Sequence, residues 1–188
     1  MTKPISLCNA ADSALLVIDI QPTLTAAMPE NDAEQMLTNT TVLLQAAAAL
    51  QVPVLLTEQY PKGLGETERN LLEHLPASAQ KFQKTGFSCC AAAGFRGVLE
   101  KSGKTQLVLV GQEAHVCVLQ TAFELYDSGY SIFVAEDTVC SRKQEHRFFA
   151  LERMRQAGIT ITNYESVLFE WMRDSTHPKF KELAKLIR

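Results

Sequence analysis

Short apolar runs alternate along this chain with stretches in which apolar residues recur every three or four positions. A continuous apolar run bounded by turn residues predicts a strand buried on both faces, and the wider spacing predicts an amphipathic helix. The third of the six predicted strands is poorly hydrophobic. The predicted strands span residues 14–18, 52–57, 80–84, 107–110, 130–135 and 159–162.

The stretches between these strands predict helices. Ser141 and Gln144 have the spacing of a capping box, which predicts where the helix before the sixth strand begins. The connection formed by residues 58–80 is long for a compact domain, and such connections are usually binding loops or lids. The predicted helices span residues 34–51, 67–74, 91–102, 117–129, 141–157 and 167–172, with a last one from about residue 178.

Apolar strands that alternate with amphipathic helices predict a parallel sheet with helices on both faces, joined by right-handed crossovers. This is a three-layer, Rossmann-like α/β fold. The length of 188 residues predicts a single domain, residues 1–188, with a substantial core. In such sheets the ligand crevice lies beyond the carboxyl ends of the strands, where the strand order reverses.

Three polar residues follow predicted strands: Asp19 the first, Lys84 the third and Cys117 the fourth. Cys117 lies where a buried strand gives way to a helix, and a helix N-terminus favours the thiolate over the thiol. Each residue also has an ordinary interpretation. Asp19 could cap a turn, Lys84 could be a solvated surface charge, and Cys117 could be a small buried hydrophobe.

Together, a carboxylate, an ammonium and a thiol can carry out covalent acyl transfer. Asp19 would accept the thiol proton, and Lys84 would stabilise the thiolate and keep the carboxylate ionised. The thiolate of Cys117 would attack a carbonyl carbon, and backbone N–H groups at the start of its helix would stabilise the oxyanion. Asp19 would then protonate the leaving amine and activate the water that cleaves the thioester.

Three motifs follow one another along the chain: Val17-Ile-Asp19-Ile-Gln21, Phe82-x-Lys84-Thr-x-Phe87-Ser88 and Gly111-Gln-Glu-Ala-His-Val-Cys117-Val118. Two further motifs are Thr57-Glu-Gln-Tyr-Pro61-x-Gly63-Leu-Gly65 and His177-Pro-x-Phe-Lys-Glu182. The first three together resemble the isochorismatase-like cysteine hydrolase superfamily, in order along essentially the whole chain. Through the other two, the chain looks most similar to the isochorismatase domain-containing proteins within that superfamily.

The resemblance implies a sheet of order 3-2-1-4-5-6 and a catalytic triad of Asp19, Lys84 and Cys117. It also implies a cis peptide bond between Gln112 and Glu113. The backbone N–H groups of Glu113 and Cys117 would then form the oxyanion hole.

Family position also suggests Gln21, Tyr60 and Phe87 as residues of the substrate pocket. Relatives that act on nicotinamide often bind a metal through an aspartate and histidines after the second strand. This chain has Thr57-Glu-Gln-Tyr60 there, which argues against nicotinamide as substrate, and we expect neither a metal nor a cofactor. Isochorismatases proper lack the nucleophilic cysteine, so Cys117 argues against vinyl-ether hydrolysis.

His115 lies two residues before Cys117. It could act as a general base, or it could simply occupy the turn with its ring directed away. Three further cysteines, Cys89, Cys90 and Cys140, are expected to be packing residues.

Composition and charge indicate which classes of binding partner to expect. The formal net charge of −3 gives no reason to expect a nucleic acid or an anionic membrane. Five cysteines form no even disulfide framework, and the N-terminus lacks a signal-peptide apolar region, so a cytoplasmic location is expected. Relatives are commonly homo-oligomers, and the interface could use apolar residues of the last two helices: Phe169, Trp171, Phe180 and Leu183.

The sequence therefore predicts a cofactor-independent cysteine hydrolase that cleaves the C–N bond of a small amide through a thioester on Cys117. Two alternatives stay open at this point. One is a ligand-binding or scaffold protein with the same fold and no turnover. The other is a peroxide-reactive thiol protein, since an acidic cysteine would also oxidise readily.

Overall fold

The computed structural model describes residues 7–187, which form six strands and the helices around them. The strands are β1 (Ser13–Ile18), β2 (Val54–Gln59), β3 (Gln80–Lys84), β4 (Gln106–Gln112), β5 (Ser131–Cys140) and β6 (Thr160–Thr162). The helices are α1 (Pro22–Thr25), α2 (Glu30–Leu50), α3 (Pro61–Leu64), α4 (Arg69–Leu72), α5 (Phe95–Lys101), α6 (Leu119–Asp127), α7 (Gln144–Gln156), α8 (Tyr164–Met172) and α9 (Phe180–Leu183). A 3₁₀ turn (Cys89–Ala91) precedes α5, and a π-helical turn (Ala114–Val118) precedes α6.

All strands are parallel, in the order β3-β2-β1-β4-β5-β6. This confirms the α/β fold and the strand order that the sequence resemblance implied. The order reverses between β1 and β4, which are neighbours in the sheet but far apart along the chain. The crevice expected at such a reversal therefore lies beyond the carboxyl ends of these two strands.

The two faces of the sheet carry separate hydrophobic cores, because successive side chains of a strand point to opposite faces. On β1, Leu15 and Val17 face one core, and Leu16 and Ile18 face the other. The first core packs against α2 and α8 through residues that include Met36, Leu43 and Trp171. The second packs against α5, α6 and α7 through residues that include Phe95, Leu125 and Met154.

The predicted capping box is wrong. The helix α7 begins at Gln144 after an extended Lys143, and no side chain caps its first turn. Ser141 is fully buried, and its hydroxyl lies 3.0 Å from Nδ1 of His115. The Ser-x-x-Gln spacing recurred here without its usual function, because the serine is used in a tertiary contact.

The fifth strand is longer than the predicted range 130–135. The apolar run is interrupted at Glu136 and Asp137, yet the strand continues to Cys140. Its pairing with β4 shifts after Leu109, so that Val139 lies opposite Gly111. This irregularity brings the end of β5 beside the end of β4, next to the crevice.

The residues proposed for an oligomer interface divide between core and surface. Trp171 and Leu183 are buried and belong to the first core. Phe169 is 39% exposed, and its ring centroid lies 6.3 Å from that of Phe180. Within residues 7–187, no helix is long and apolar enough to span a membrane.

Gly111 allows β4 to approach β1 closely. Its φ is +118°, and a Cβ built at this position would lie 2.1 Å from the carbonyl oxygen of Ile18. That oxygen belongs to the backbone and has no freedom to move aside. A side chain at position 111 would therefore force the two central strands apart.

We expect Gly111→Ala to lower the free energy of unfolding by about 3 kcal/mol, since it combines an unfavourable φ with a backbone clash. Gly97→Ala is the matched control, because Gly97 lies in α5 and its added Cβ meets no atom within 4 Å. Alanine in that helix should stabilise the protein by up to ~1 kcal/mol. Urea denaturation measures both, and equal midpoints for the two variants would contradict the argument.

Candidate active site

Asp19 is the first residue after β1 and is fully buried. Its φ of +52° turns the chain sharply at the strand end. Both neighbouring strands hold its backbone: its N–H donates to the carbonyl of Thr57 (3.1 Å), and its carbonyl accepts from the side-chain amide of Gln112 (3.3 Å). The carboxylate is thus fixed at the point where the strand order reverses.

Lys84 reaches Asp19 across the end of β2. Its Nζ lies 2.6 Å from Oδ2 of Asp19, and both side chains have no exposed surface. From strand spacing alone the two residues are about 10 Å apart, two strands away from each other. The extended lysine side chain spans that gap. Nζ also donates to Oε1 of Gln59 (2.7 Å) and to the carbonyls of Phe87 (2.8 Å) and Gly86 (3.2 Å).

Thr57 holds the second oxygen of the Asp19 carboxylate. Its hydroxyl donates to Oδ1 over 2.8 Å and also lies 3.5 Å from Sγ of Cys89. In the sequence, Thr57 is only part of a motif, and its contact with Asp19 was not predicted. The strand register could have indicated this contact, because Thr57 pairs with Ile18, the residue just before Asp19.

Cys117 lies in the π-helical turn between β4 and α6 and is 5% exposed. Burial raises the pKa of its thiol, and the negative charge of Asp19 raises it further. The ammonium of Lys84 acts in the opposite direction and is outweighed. The resting group is therefore a thiol, and the prediction that the position favours a thiolate is wrong.

The reason lies in the local backbone. Cys117 precedes the first residue of α6, and the π-helical turn carries it into the protein interior. Desolvation there, together with the nearby carboxylate, outweighs the favourable field of a helix N-terminus.

The segment before the π-helical turn contains a cis peptide bond, between Gln112 and Glu113. The side chain of Gln112 stabilises this segment, since its amide donates to Oγ1 of Thr25 (3.0 Å) as well as to the carbonyl of Asp19. The carboxylate of Glu113 accepts from the backbone N–H of Arg142 (3.0 Å) and from its Nε (3.1 Å). This segment is tied down from both sides, which places the N–H groups of Glu113 and Cys117 in one rigid stretch.

A cavity of about 480 Å³ opens beside Cys117. Tyr60 and Phe87 line it, as predicted for the substrate pocket, and each is about half exposed. The other lining residues are Leu24, Gln59, Leu64, Thr85, Glu113 and Val116. A larger groove of about 1060 Å³ runs along α2 between α1 and α4, and none of the Asp19, Lys84 and Cys117 side chains lines it.

Gln21, the third predicted pocket residue, does not line this cavity. It is fully buried, and its Oε1 accepts from the backbone N–H of Gln59 (2.7 Å). Its Nε2 donates to the carbonyls of Gln59 (3.0 Å) and Gly65 (2.5 Å). Gln21 instead ties the end of β2 to the segment after α3.

The ring of His115 is engaged away from Cys117. Its Nδ1 lies 3.0 Å from the hydroxyl of Ser141, and its ring centroid is 4.6 Å from that of His146. Burial lowers the pKa of His115, which keeps the ring neutral near pH 7. These contacts favour the interpretation in which His115 occupies the turn rather than acting as a base.

The other cysteines differ in their surroundings. Cys140 is buried against Sδ of Met36 (3.3 Å), which is consistent with packing. Cys89 is also buried, but it contacts Thr57 and so lies beside the Asp19 carboxylate. Burial, with a smaller effect from Asp19, raises the pKa of Cys89 to about 12. In the part of the chain that the structure describes, no three His, Cys, Asp or Glu side chains are grouped to hold a metal ion.

Known proteins resemble this chain in sequence and in structure. The isochorismatase domain model matches residues 13–166. Isochorismatase domain-containing protein 1 of Salmo salar is 40% identical over 146 residues, which is 78% of this chain and 51% of that protein. The chain thus spans about half the length of that relative.

Two solved structures share the fold over nearly the whole chain. The MAR1 ribonuclease from Caenorhabditis elegans superposes with a TM-score of 0.91 and 40% identity, covering 97% of this chain and 92% of that one. The YcaC gene product of Escherichia coli, described as an octameric hydrolase of unknown specificity, gives a TM-score of 0.91 and 26% identity over 99% and 91% of the two chains. The match to the family model over most of the chain, with the shared fold, shows that this protein belongs to the isochorismatase family.

Proposed function

We propose that this protein cleaves the C–N bond of a small amide through a thioester on Cys117. One observation carries the proposal: the buried Asp19 carboxylate lies 2.6 Å from Nζ of Lys84 and is close enough to Cys117 for its charge to raise the pKa of that thiol. A base, a cation and a nucleophile therefore meet beside a cavity at the reversal of the strand order. Such an arrangement suits acyl transfer.

The attack begins from a neutral thiol. Asp19, the carboxylate whose charge acts on this thiol, would take the proton as Sγ of Cys117 bonds to the carbonyl carbon. The π electrons of the carbonyl move to oxygen and form an oxyanion. The backbone N–H groups of Glu113 and Cys117 would stabilise that charge, and a donor of this kind is typically worth about 3 kcal/mol.

The tetrahedral intermediate collapses by breaking the C–N bond. Asp19 returns its proton to the leaving nitrogen, and the amine departs, leaving a thioester on Cys117. Asp19 then takes a proton from water as the water attacks the thioester, and the carboxylic acid leaves as Sγ regains a proton. The ammonium of Lys84, 2.6 Å from Oδ2 of Asp19, would balance the negative charge of the carboxylate each time that it accepts a proton.

The two other interpretations fit the site less well. A redox-reactive cysteine needs a thiolate, and the raised pKa of Cys117 keeps that form scarce near neutral pH. A scaffold has no use for a fully buried ion pair beside a thiol and an open cavity. Neither alternative accounts for the contacts of Asp19 as well as hydrolysis does.

An RNA substrate is also poorly supported, although the C. elegans protein is described as a ribonuclease. Binding of a polyanionic backbone relies on lysine and arginine side chains. None of the described residues that line the cavity is Lys or Arg, and the net charge of the chain is −3. We therefore favour a small organic amide and no nucleic acid.

We expect Cys117→Ala to lower amide hydrolysis at least about 1,000-fold, because the nucleophile is lost. The melting temperature should change little, since alanine fits the space. Cys90→Ala is the control, as Cys90 is a half-buried cysteine outside the cavity lining. Ammonia release from a panel of primary amides measures activity, and mass spectrometry detects the acyl group on Cys117. Acylation of Cys89 or Cys140 in its place would contradict the proposal.

The pH dependence of alkylation should separate the charge of Asp19 from its role as a base. In the wild type, the rate of Cys117 alkylation by iodoacetamide should still rise above pH 9, because the thiol pKa is raised above its ordinary value of 9.0. Asp19→Asn removes the negative charge and leaves Lys84, so the pKa falls and the profile moves to lower pH. Hydrolysis should nevertheless be lost with the base.

Asp127→Asn controls for the change in net charge, since Asp127 is exposed at the end of α6. Labelling of the buried Cys140 in the same samples reports any unfolding of the Asp19 variant, because Asp19 is not among the groups that shift the pKa of Cys140. A shift of the Cys117 profile to higher pH, or full activity in Asp19→Asn, would refute the proposed role.

We further propose that the protein is a homo-oligomer. Support comes from the E. coli relative, described as octameric, with which the chain shares its fold over 99% of its length. Light scattering coupled to size exclusion should give a mass that is a multiple of 20.8 kDa. A single monomer mass at micromolar concentration would rule this out.

A further inference from the structure

The cavity beside Cys117 is walled mostly by apolar groups. Leu24 from α1 and Leu64 from α3 lie on one side, and Val116 comes from the π-helical turn. The rings of Tyr60 and Phe87 complete the wall. A wall of this kind binds a ligand by removing apolar surface from water.

The ring of Tyr60 is held in place by the backbone beneath it. A Cβ at Gly63 would lie 2.5 Å from Cε1 of Tyr60, so the ring lies directly over this glycine. The backbone N–H of Tyr60 donates to the carbonyl of Lys84 (2.9 Å), which ties the residue to the end of β3. The aromatic wall is thus built into the fold.

Two polar side chains of the lining are already engaged. Oε1 of Gln59 accepts from Lys84 (2.7 Å), and its Nε2 donates to the carbonyl of Thr85 (2.7 Å). Both oxygens of Glu113 accept from Nε of Arg142 (3.2 and 3.1 Å). A polar substituent on a ligand would compete with these bonds, and the hydroxyls of Tyr60 and Thr85 in the same lining supply no charge to pair with a ligand anion.

The cation nearest to the thiol is also saturated. An ammonium has three hydrogens to donate, and Nζ of Lys84 has four acceptors within 3.2 Å, including Asp19. Along the described lining there is no other lysine or arginine side chain. A carboxylate or phosphate on the acyl group would therefore be desolvated without a counter-charge, which is strongly unfavourable.

We propose that the acyl group of the substrate is uncharged and apolar, a short branched aliphatic or aromatic carboxamide, and that the Leu24, Tyr60, Leu64, Phe87 and Val116 wall selects it. This inference rests on the proposed amide hydrolysis for the position of the reacting carbonyl. It adds the chemical class of the group that the cavity accepts.

Three primary amides of equal size test the inference. In 4-methylpentanamide the far end is an isopropyl group, in succinamide it is a neutral amide, and in succinamate it is a carboxylate. Calorimetry on Cys117→Ala measures binding without turnover, and ammonia release by the wild type measures kcat/KM. We expect succinamate to bind about 100-fold more weakly than 4-methylpentanamide, and succinamide about 10-fold more weakly.

A charge introduced into the wall should reverse the preference. Leu64→Arg places a cation on α3 beside the cavity, and we expect it to bring succinamate to at least the affinity of 4-methylpentanamide. Gln156→Arg is the control, because it adds the same charge on exposed surface at the far end of α7. That control should keep the wild-type preference.

Equal or tighter binding of succinamate to Cys117→Ala would overturn the inference, as would binding of none of the three amides. The proposed hydrolysis fails separately, when the apolar amide binds preferentially but no Cys117-dependent ammonia is released. In that case the binding preference stands and the reaction does not.

Discussion

The buried ion pair between Asp19 and Lys84 is the constraint on which the site depends. Two opposite charges without exposed surface are tolerated only when each is fully paired. Five hydrogen bonds meet that requirement: one from Thr57 to the carboxylate, one from Lys84 to Asp19, and three from the ammonium to Gln59 and two backbone carbonyls. Loss of either charge would leave the other buried and unpaired, at a typical cost of about 3–5 kcal/mol.

The same pair fixes structure beyond its own atoms. The carbonyls of Gly86 and Phe87 must turn towards Nζ of Lys84, which sets the path of the chain after β3 and brings Phe87 to the cavity. Oε1 of Gln59 accepts a hydrogen bond from Nζ of Lys84, and the backbone N–H of Gln59 donates to Oε1 of Gln21. The charges that equip the site for proton transfer therefore also shape the pocket around it.

Much of the fold follows from the hydrophobic pattern because parallel sheets leave a strong signal. Four of the six strands, β1, β2, β4 and β5, contain a continuous apolar run, and the alternation with helices restricts the topology. The hydrophobic pattern of the edge strand β3 is weak because most of the strand is exposed and only Lys84 is buried. The strand order itself came from the family resemblance rather than from periodicity.

The candidate site was predictable in its residues but not in its geometry. Asp19, Lys84 and Cys117 stand at strand ends in the sequence, but the reach of the lysine across β2 depends on side-chain extension, which no spacing reveals. The hydrogen bonds of Thr57 with Asp19 and of Gln21 with Gln59 also join residues that are far apart in the sequence. Ser141 shows the converse, a local motif overridden by a tertiary contact with His115.

Burial explains how the thiol of Cys117 can be protected at rest and still serve as the nucleophile of the proposed reaction. Desolvation and Asp19 keep Cys117 protonated at rest, and a thiol is a poor target for peroxides. In the proposed mechanism, the same carboxylate that raises the pKa of Cys117 accepts its proton, so reactivity would depend on a carbonyl arriving in the cavity to share the developing charge. An apolar substrate would expel water from the cavity as it binds, which strengthens the interactions of the ion pair at the moment of proton transfer. In the proposed mechanism, the same cavity would therefore recognise the substrate through apolar contacts and activate the thiol by excluding water.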